Sequence, residues 1–279
     1  MKKSIYWIVV IFSIFCLFNC KKTDKLELPP YVDLFQYAKV YTYNKIFDYG
    51  NYNYDQSITH SVYTLGTQSI RMWGWSKNGM VAYSQETGME GRGGTLIQFI
   101  IFDFINDKKL FELEIDTFDH DEIIFSYDND NFEKEFNIYM NKMYNIIKDE
   151  IREAMKRFNI IEKQVEYLPF PIKKDNNIYD AYCIITPKKD EEKEYGDIEN
   201  IKSYSIIIKK NKEEIKTITK NDDAFAQQIY IGGYFLSPFE NRALVVIAVE
   251  SFTFEGTGMF FIFSGCHLET GFHLAKNSK

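Results

Sequence analysis

Two stretches of this chain set glutamate beside glycine in the same order. They are "EGRGGTLIQFIIF", starting at Glu90, and "EGTGMFFIF", starting at Glu255. Another glutamate precedes each of them at the end of a strand-like run, Glu86 in the first case and Glu250 in the second. Four carboxylates gathered about a pseudo-twofold axis would bind Ca²⁺ or serve as an acid/base pair. The glycines offer a plainer reading, because they permit backbone angles that other residues avoid. A phosphate-cradling loop is excluded, since such a loop opens into a helix N-terminus and here a strand-like run follows. The preferred reading is a turn used twice. It implies positive φ at Gly91 and Gly256, or at Gly93 and Gly258, and mostly solvated glutamates.

Other catalytic patterns are weak. "GWSKN" around Ser76 lacks the closing glycine of a nucleophile elbow and precedes a strand. No His-Glu-x-x-His or Cys-x-x-Cys occurs. The histidines are His60, His120, His267 and His273. His267 directly follows Cys266, so on a strand the two point to opposite faces and cannot readily chelate one ion. The acidic run "DTFDHDE" (Asp116 to Glu122) is read as a solvated strand end rather than a metal site. No cofactor and no metal are expected.

The N-terminus carries a different chemistry. Lys2 and Lys3 precede "IYWIVVIFSIFCLF", an apolar run shorter than the roughly 20 residues of a spanning helix. It fits the hydrophobic region of a secretory signal over residues 1–19, with an uncleaved N-terminal anchor as the alternative. The run ends in Leu17-Phe18-Asn19-Cys20. These residues resemble a bacterial lipoprotein signal of the looser, spirochaete type, with Asn19 where Gly or Ala is usual. The resemblance implies lipidation of Cys20, with palmitate among the acyl chains, and a lipid-anchored, extracytoplasmic place in the cell envelope. Cleavage would remove two lysines and no acids, taking the formal charge from -7 to -9. That acidity, with no basic stripe, argues against nucleic acid. Cys183 and Cys266 would remain, as a disulfide or as buried thiols. The 17% aromatic content would suit a sugar-binding surface, but Ile, Asn and Lys are abundant too, and AT-rich codons explain all of them.

Those residues need elements to carry them. Residues 20–34 read as the lipidated cysteine and a flexible tether, with two prolines. Residues 35–279 read as a single β-rich domain. "INDKK" is a hairpin turn with Asn106 and Asp107 at the bend, and "KSYSIIIKKNKEEIKTIT" is a hairpin turning near Asn211. Between residues 131 and 158 the apolar period changes to steps of three and four, including Phe136, Tyr139, Met143, Ile147 and Ile151. This predicts one long helix packed on a sheet, with Asp130 and Glu133 as a capping box. The fold class is α+β: mainly antiparallel sheet, two related strand-turn-strand units at 73–104 and 231–264, and that helix.

In each unit a serine (Ser76, Ser237) opens a turn, "SKNG" or "SPFENR". At these residues the chain resembles the Ser-Pro-Asp-Gly turns of TolB-type propeller blades. Two such units around a long helix, behind an export signal, resemble a bacterial family of predicted secreted proteins of unknown function. That resemblance implies a fold and a location but no reaction. The expected function is a membrane-anchored envelope module, non-catalytic, meeting an envelope protein or glycan. The alternative is a carboxylate-dependent hydrolase of envelope glycans, with or without a cation.

Overall fold

The computed structural model describes residues 26–34, 36, 39–42, 45–48, 68–89, 94–120, 132–189, 201–253 and 256–275. The strands and helices run in this order: β1 (Lys39–Thr42), β2 (Lys45–Asp48), β3 (Gln68–Trp75), β4 (Met80–Gly88), β5 (Thr95–Asp103), β6 (Lys108–Asp116), α1 (Phe132–Ile146) and α2 (Lys148–Arg157). Then come β7 (Tyr167–Leu168), β8 (Ile172–Lys174), β9 (Asn177–Pro187), β10 (Ile201–Lys210), β11 (Glu214–Asn221), β12 (Gln228–Leu236), β13 (Arg242–Thr253), β14 (Gly256–His267) and β15 (His273–Leu274). The chain is mainly antiparallel sheet with two helices. It divides into two compact units, residues 1–28 with 125–148, and residues 29–124 with 149–279.

The second unit holds three sheets. The first is β3-β4-β5-β6, the central one β14-β13-β12-β1-β2 with β7 also on β12, and the third β15-β11-β10-β9-β8. The run "RALVVIAVE" explains the middle layer. A strand buried on one face alternates, whereas a strand buried on both reads as continuous apolar sequence. On β13, Ala243, Val245 and Ile247 enter a core with Tyr179, Ala181, Ile206 and Ile208 of the third sheet. Leu244 and Val246 enter the opposite core with Ile70, Met72, Val81, Tyr83 and Ile100 of the first. The central sheet is thus covered on both sides.

The hairpins close where the sequence supplies residues that tolerate positive φ. Gly79 (φ 75), Asp107 (φ 49) and the pairs Asp175–Asn176 (φ 48, 63) and Asn211–Lys212 (φ 50, 67) turn four of them. The readings at Asn106–Asp107 and near Asn211 hold.

The helical stretch departs from expectation, since the residues read as one helix form two, α1 and α2, with a break at Ile147. Two asparagines bond the helix backbone before the break. Asn141 Nδ2 donates to the Asn137 carbonyl at 2.7 Å and Asn145 Nδ2 to the Asn141 carbonyl at 2.6 Å. Side chains that bond the backbone four residues back compete with the helix ladder and bend it. In α1 the buried residues are Met140, Met143 and Tyr144, while Ile138 and Ile146 are exposed. Asp130 and the side chain of Glu133 lie outside the described residues. In α2, Ile151, Ala154 and Met155 are buried. That helix ends on Asn159 (φ 53), with Asn159 N donating to Lys156 O at 3.1 Å and Ile160 N to Met155 O at 2.8 Å. This paired closure satisfies the last carbonyls of the helix. Phe158 then meets Phe111 of β6, centroids 6.2 Å apart.

Candidate functional site

Of the four predicted glutamates, Glu86 and Glu250 are among the described residues, and they lie on different sheets. Glu86 sits on β4 diagonally across from Arg71 of β3, and both side chains are buried. Arg71 Nε donates to Glu86 Oε1 at 2.9 Å, and Arg71 Nη1 donates to the Pro29 carbonyl at 2.7 Å. Tyr31 donates its hydroxyl to Glu86 Oε2, and its ring lies 3.5 Å under the Arg71 guanidinium. Burial raises the Tyr31 pKa, and the Glu86 charge raises it further, so the phenol stays a neutral donor. The backbone joins in, with a Tyr31–Arg71 bridge and Val32 N donating to Ile70 O at 3.0 Å. Glu86 is therefore a fastener for the arm Pro29–Leu34, which the sequence places within the tether. Leu34 finishes the attachment, its carbonyl accepting from Tyr167 Oη at 2.8 Å.

Glu250 is half-buried near the far end of β13 and accepts from Tyr230 Oη at 2.5 Å. Nor are Glu86 and Glu250 at equivalent places. Counted from the pairs beside each turn, Trp75–Val81 and Leu236–Ala243, Glu86 matches Ala248, two residues before Glu250. Glu90 and Glu255 lie outside the described residues, as do Gly91 and Gly93. Gly258 is in β14 opposite Ser251, so the second Glu-Gly-x-Gly opens a strand. Next to the first stretch, among the described residues, positive φ falls at Gly94 (φ 84), whose carbonyl accepts from Met89 N at 3.0 Å.

The serines serve the turns. Ser76 is buried, and its Oγ accepts from the Asn78 and Met80 amides, each at 3.1 Å. Ser237 Oγ accepts from Phe239 N at 3.3 Å. Asp116 caps the short 3-10 turn Thr117–Asp119 by accepting from Phe118 N at 3.0 Å. Cys183 and Cys266 are thiols, not joined in a disulfide. Burial pushes Cys266 up to about 11 and Cys183 up to about 12, which makes both poor nucleophiles.

A polar cluster that sequence reasoning missed lies where the β5–β6 turn meets β14. Asp107 Oδ1 accepts from Gly265 N at 2.7 Å, and Ser264 Oγ lies 3.2 Å from Oδ2. Gly265 has no alternative there, since a Cβ would stand 1.6 Å from the Phe104 carbonyl oxygen. Asp107 is exposed as a residue, but its carboxylate faces β14. Desolvation there raises its pKa, while the bonds from Gly265 and Ser264 oppose the rise. Nearby, Lys216 Nζ donates to the His267 carbonyl at 3.3 Å and the Thr270 carbonyl at 3.1 Å. Desolvation lowers the His267 pKa, helped by Arg242 and Lys216. Its Nδ1 accepts from Glu269 N at 3.2 Å, which sets the tautomer with the proton on Nε2. The only forewarning in the sequence was Asp107 at a turn; its partners lie more than 150 residues on.

Among the described residues no group of three or more His, Cys, Asp or Glu side chains is placed to hold a metal ion. No family model matches the chain, and comparison with curated proteins and with solved structures finds no significant similarity.

Proposed function

We propose that the chain is an extracytoplasmic envelope protein, anchored through lipid on Cys20, whose β-layers form a non-catalytic binding or structural module. The observation that carries this reading is the use made of its polar groups. Glu86 is spent on Arg71 and Tyr31, Glu250 on Tyr230, and Asp107 on Gly265. Each joins one segment of chain to another. A glycan hydrolase needs two facing carboxylates with one free to give or take a proton, and Glu86 and Glu250 belong to different sheets. The two three-stranded meanders β3-β4-β5 and β12-β13-β14 are, in this proposal, one structural unit used twice, with serine-capped turns in common. The test is to incubate the purified chain with isolated envelope glycan and measure released reducing ends. None is expected. Turnover abolished by Asp107→Asn or Glu250→Gln would overturn the reading in favour of a carboxylate hydrolase.

A further inference from the structure

The sheet edges are closed in different ways. An edge strand offers a row of N–H and C=O groups to any other strand. β8 and β15 are three and two residues long, which leaves little to pair with. β6 carries Lys108, Lys109, Glu112, Glu114 and Asp116. β3 is covered by other chain: Val32 N donates to Ile70 O at 3.0 Å, and Ile161 exchanges both backbone bonds with Trp75, at 3.0 and 2.8 Å. Among the described residues β14 has none of these protections. It is an edge of the central sheet, 12 residues long, with no formal charge and no proline from Gly256 to Cys266. Its run Met259-Phe260-Phe261-Ile262-Phe263 has the high β-propensity and low charge of a self-pairing segment.

Two side chains close this edge. Along an antiparallel strand, successive residues turn their backbone groups first to one neighbour and then to the other. β13 takes one set. Phe261 N donates instead to Gln68 Oε1 at 2.8 Å, and Gly265 N to Asp107 Oδ1 at 2.7 Å. Both residues therefore face away from β13, and so does Phe263 between them. Gln68 opens β3 and Asp107 stands in the β5–β6 turn, so both plugs come from the first sheet. Farther on, Lys216 Nζ donates to the His267 carbonyl at 3.3 Å, which ends the stretch open to pairing.

The plugs sit symmetrically about Phe263, and that spacing selects a partner. A second copy turned about a twofold axis at Phe263 would set Phe261 of one copy against Gly265 of the other, and the reverse. Such a contact is self-complementary and closes at two chains. We propose that the β14 edge is a pairing surface for a second copy of this chain, held shut by the side chains of Gln68 and Asp107. Each plug supplies a side-chain acceptor to a backbone donor. Its removal leaves an edge amide in want of an acceptor, which an added strand provides.

The test uses the full chain in detergent, with the protein mass taken from light scattering after correction for bound detergent. The wild type should be monomeric at every concentration. Gln68→Ala with Asp107→Ala should form a dimer that dissociates on dilution. Gln68→Glu with Asp107→Asn keeps an acceptor oxygen at each place and should stay monomeric. Hydrogen exchange locates the contact: the amides of Phe261, Phe263 and Gly265 should exchange more slowly in the double-alanine dimer than in its dilute monomer. A double-alanine variant that melts cooperatively yet stays monomeric overturns the proposal. So does association that leaves those three amides unprotected, or a wild type already paired through them. Where the double variant has no cooperative melt, the two single alanine variants take its place with the same two readouts, and monomers from both are equally fatal.

Discussion

At the scale of single residues, the chemistry is that of fastening. Arg71 and Glu86 have been taken out of water together, and removing one leaves the other charge uncompensated. Such a loss costs about 3–5 kcal/mol, so Glu86→Ala should lower stability by about that amount in a chemical denaturation. Little change would mean that water reaches Arg71. His267 gives a pH signature. Its folded pKa lies below the ordinary 6.5, so between the two values the unfolded chain binds more protons than the folded one. Stability contributed by the neutral ring should then be fully present above 6.5 and fall away as pH drops through that window. His267→Gln should flatten this part of a melting-temperature profile. An unchanged profile would assign the slope to other groups. The sequence marked Glu86, but for solvent-facing chemistry. Its partners Arg71 and Tyr31 are ordinary in type, and only the pairing of β3 with β4 and with the arm brings them together.

At the scale of elements, hairpins were legible and the helix only in part. Turn residues announce themselves because positive φ restricts what can stand there, as at Asp107 and Asn211. The period of residues 131–158 marked a helical region, but not the break. That depends on whether Asn141 and Asn145 bond water or the backbone behind them, which spacing does not record. In α2, Ile151 is fully buried, and Ile151→Ala should cost about 2–5 kcal/mol. Close approach between elements was equally invisible. Gly265 reads as an unremarkable strand glycine, yet it is where the β5–β6 turn touches β14. Gly265→Ala forces Phe104 or the strand to move, and a strain of about 1–3 kcal/mol or more follows. A drop in melting temperature of several degrees is expected. Asp107→Asn, which retains an acceptor oxygen, should cost less.

At the scale of the whole molecule, the sequence distinguishes a doubly buried strand from a half-buried one but not which sheets lie above and below it. "RALVVIAVE" is covered on both faces, and the partners of each face come from segments as distant as residues 70 and 208. The placement of the N-terminal arm has the same origin. Pro29, Tyr31 and Leu34 look like tether, because nothing local shows Arg71, Ile70 and Tyr167 waiting for them. This separates the two tasks of the N-terminus. In the proposal above anchoring falls to Cys20, whereas attachment to the layered β unit begins at Pro29. Cys20→Ala should therefore lose palmitate labelling and signal cleavage without lowering the melting temperature of the β unit. The label and the mass of the processed chain report the first effect, and a thermal melt reports the second. A variant still processed to the same size and still labelled would move the anchor elsewhere. A variant that lost the label and also melted many degrees lower would show that the arm needs its lipid to stay docked.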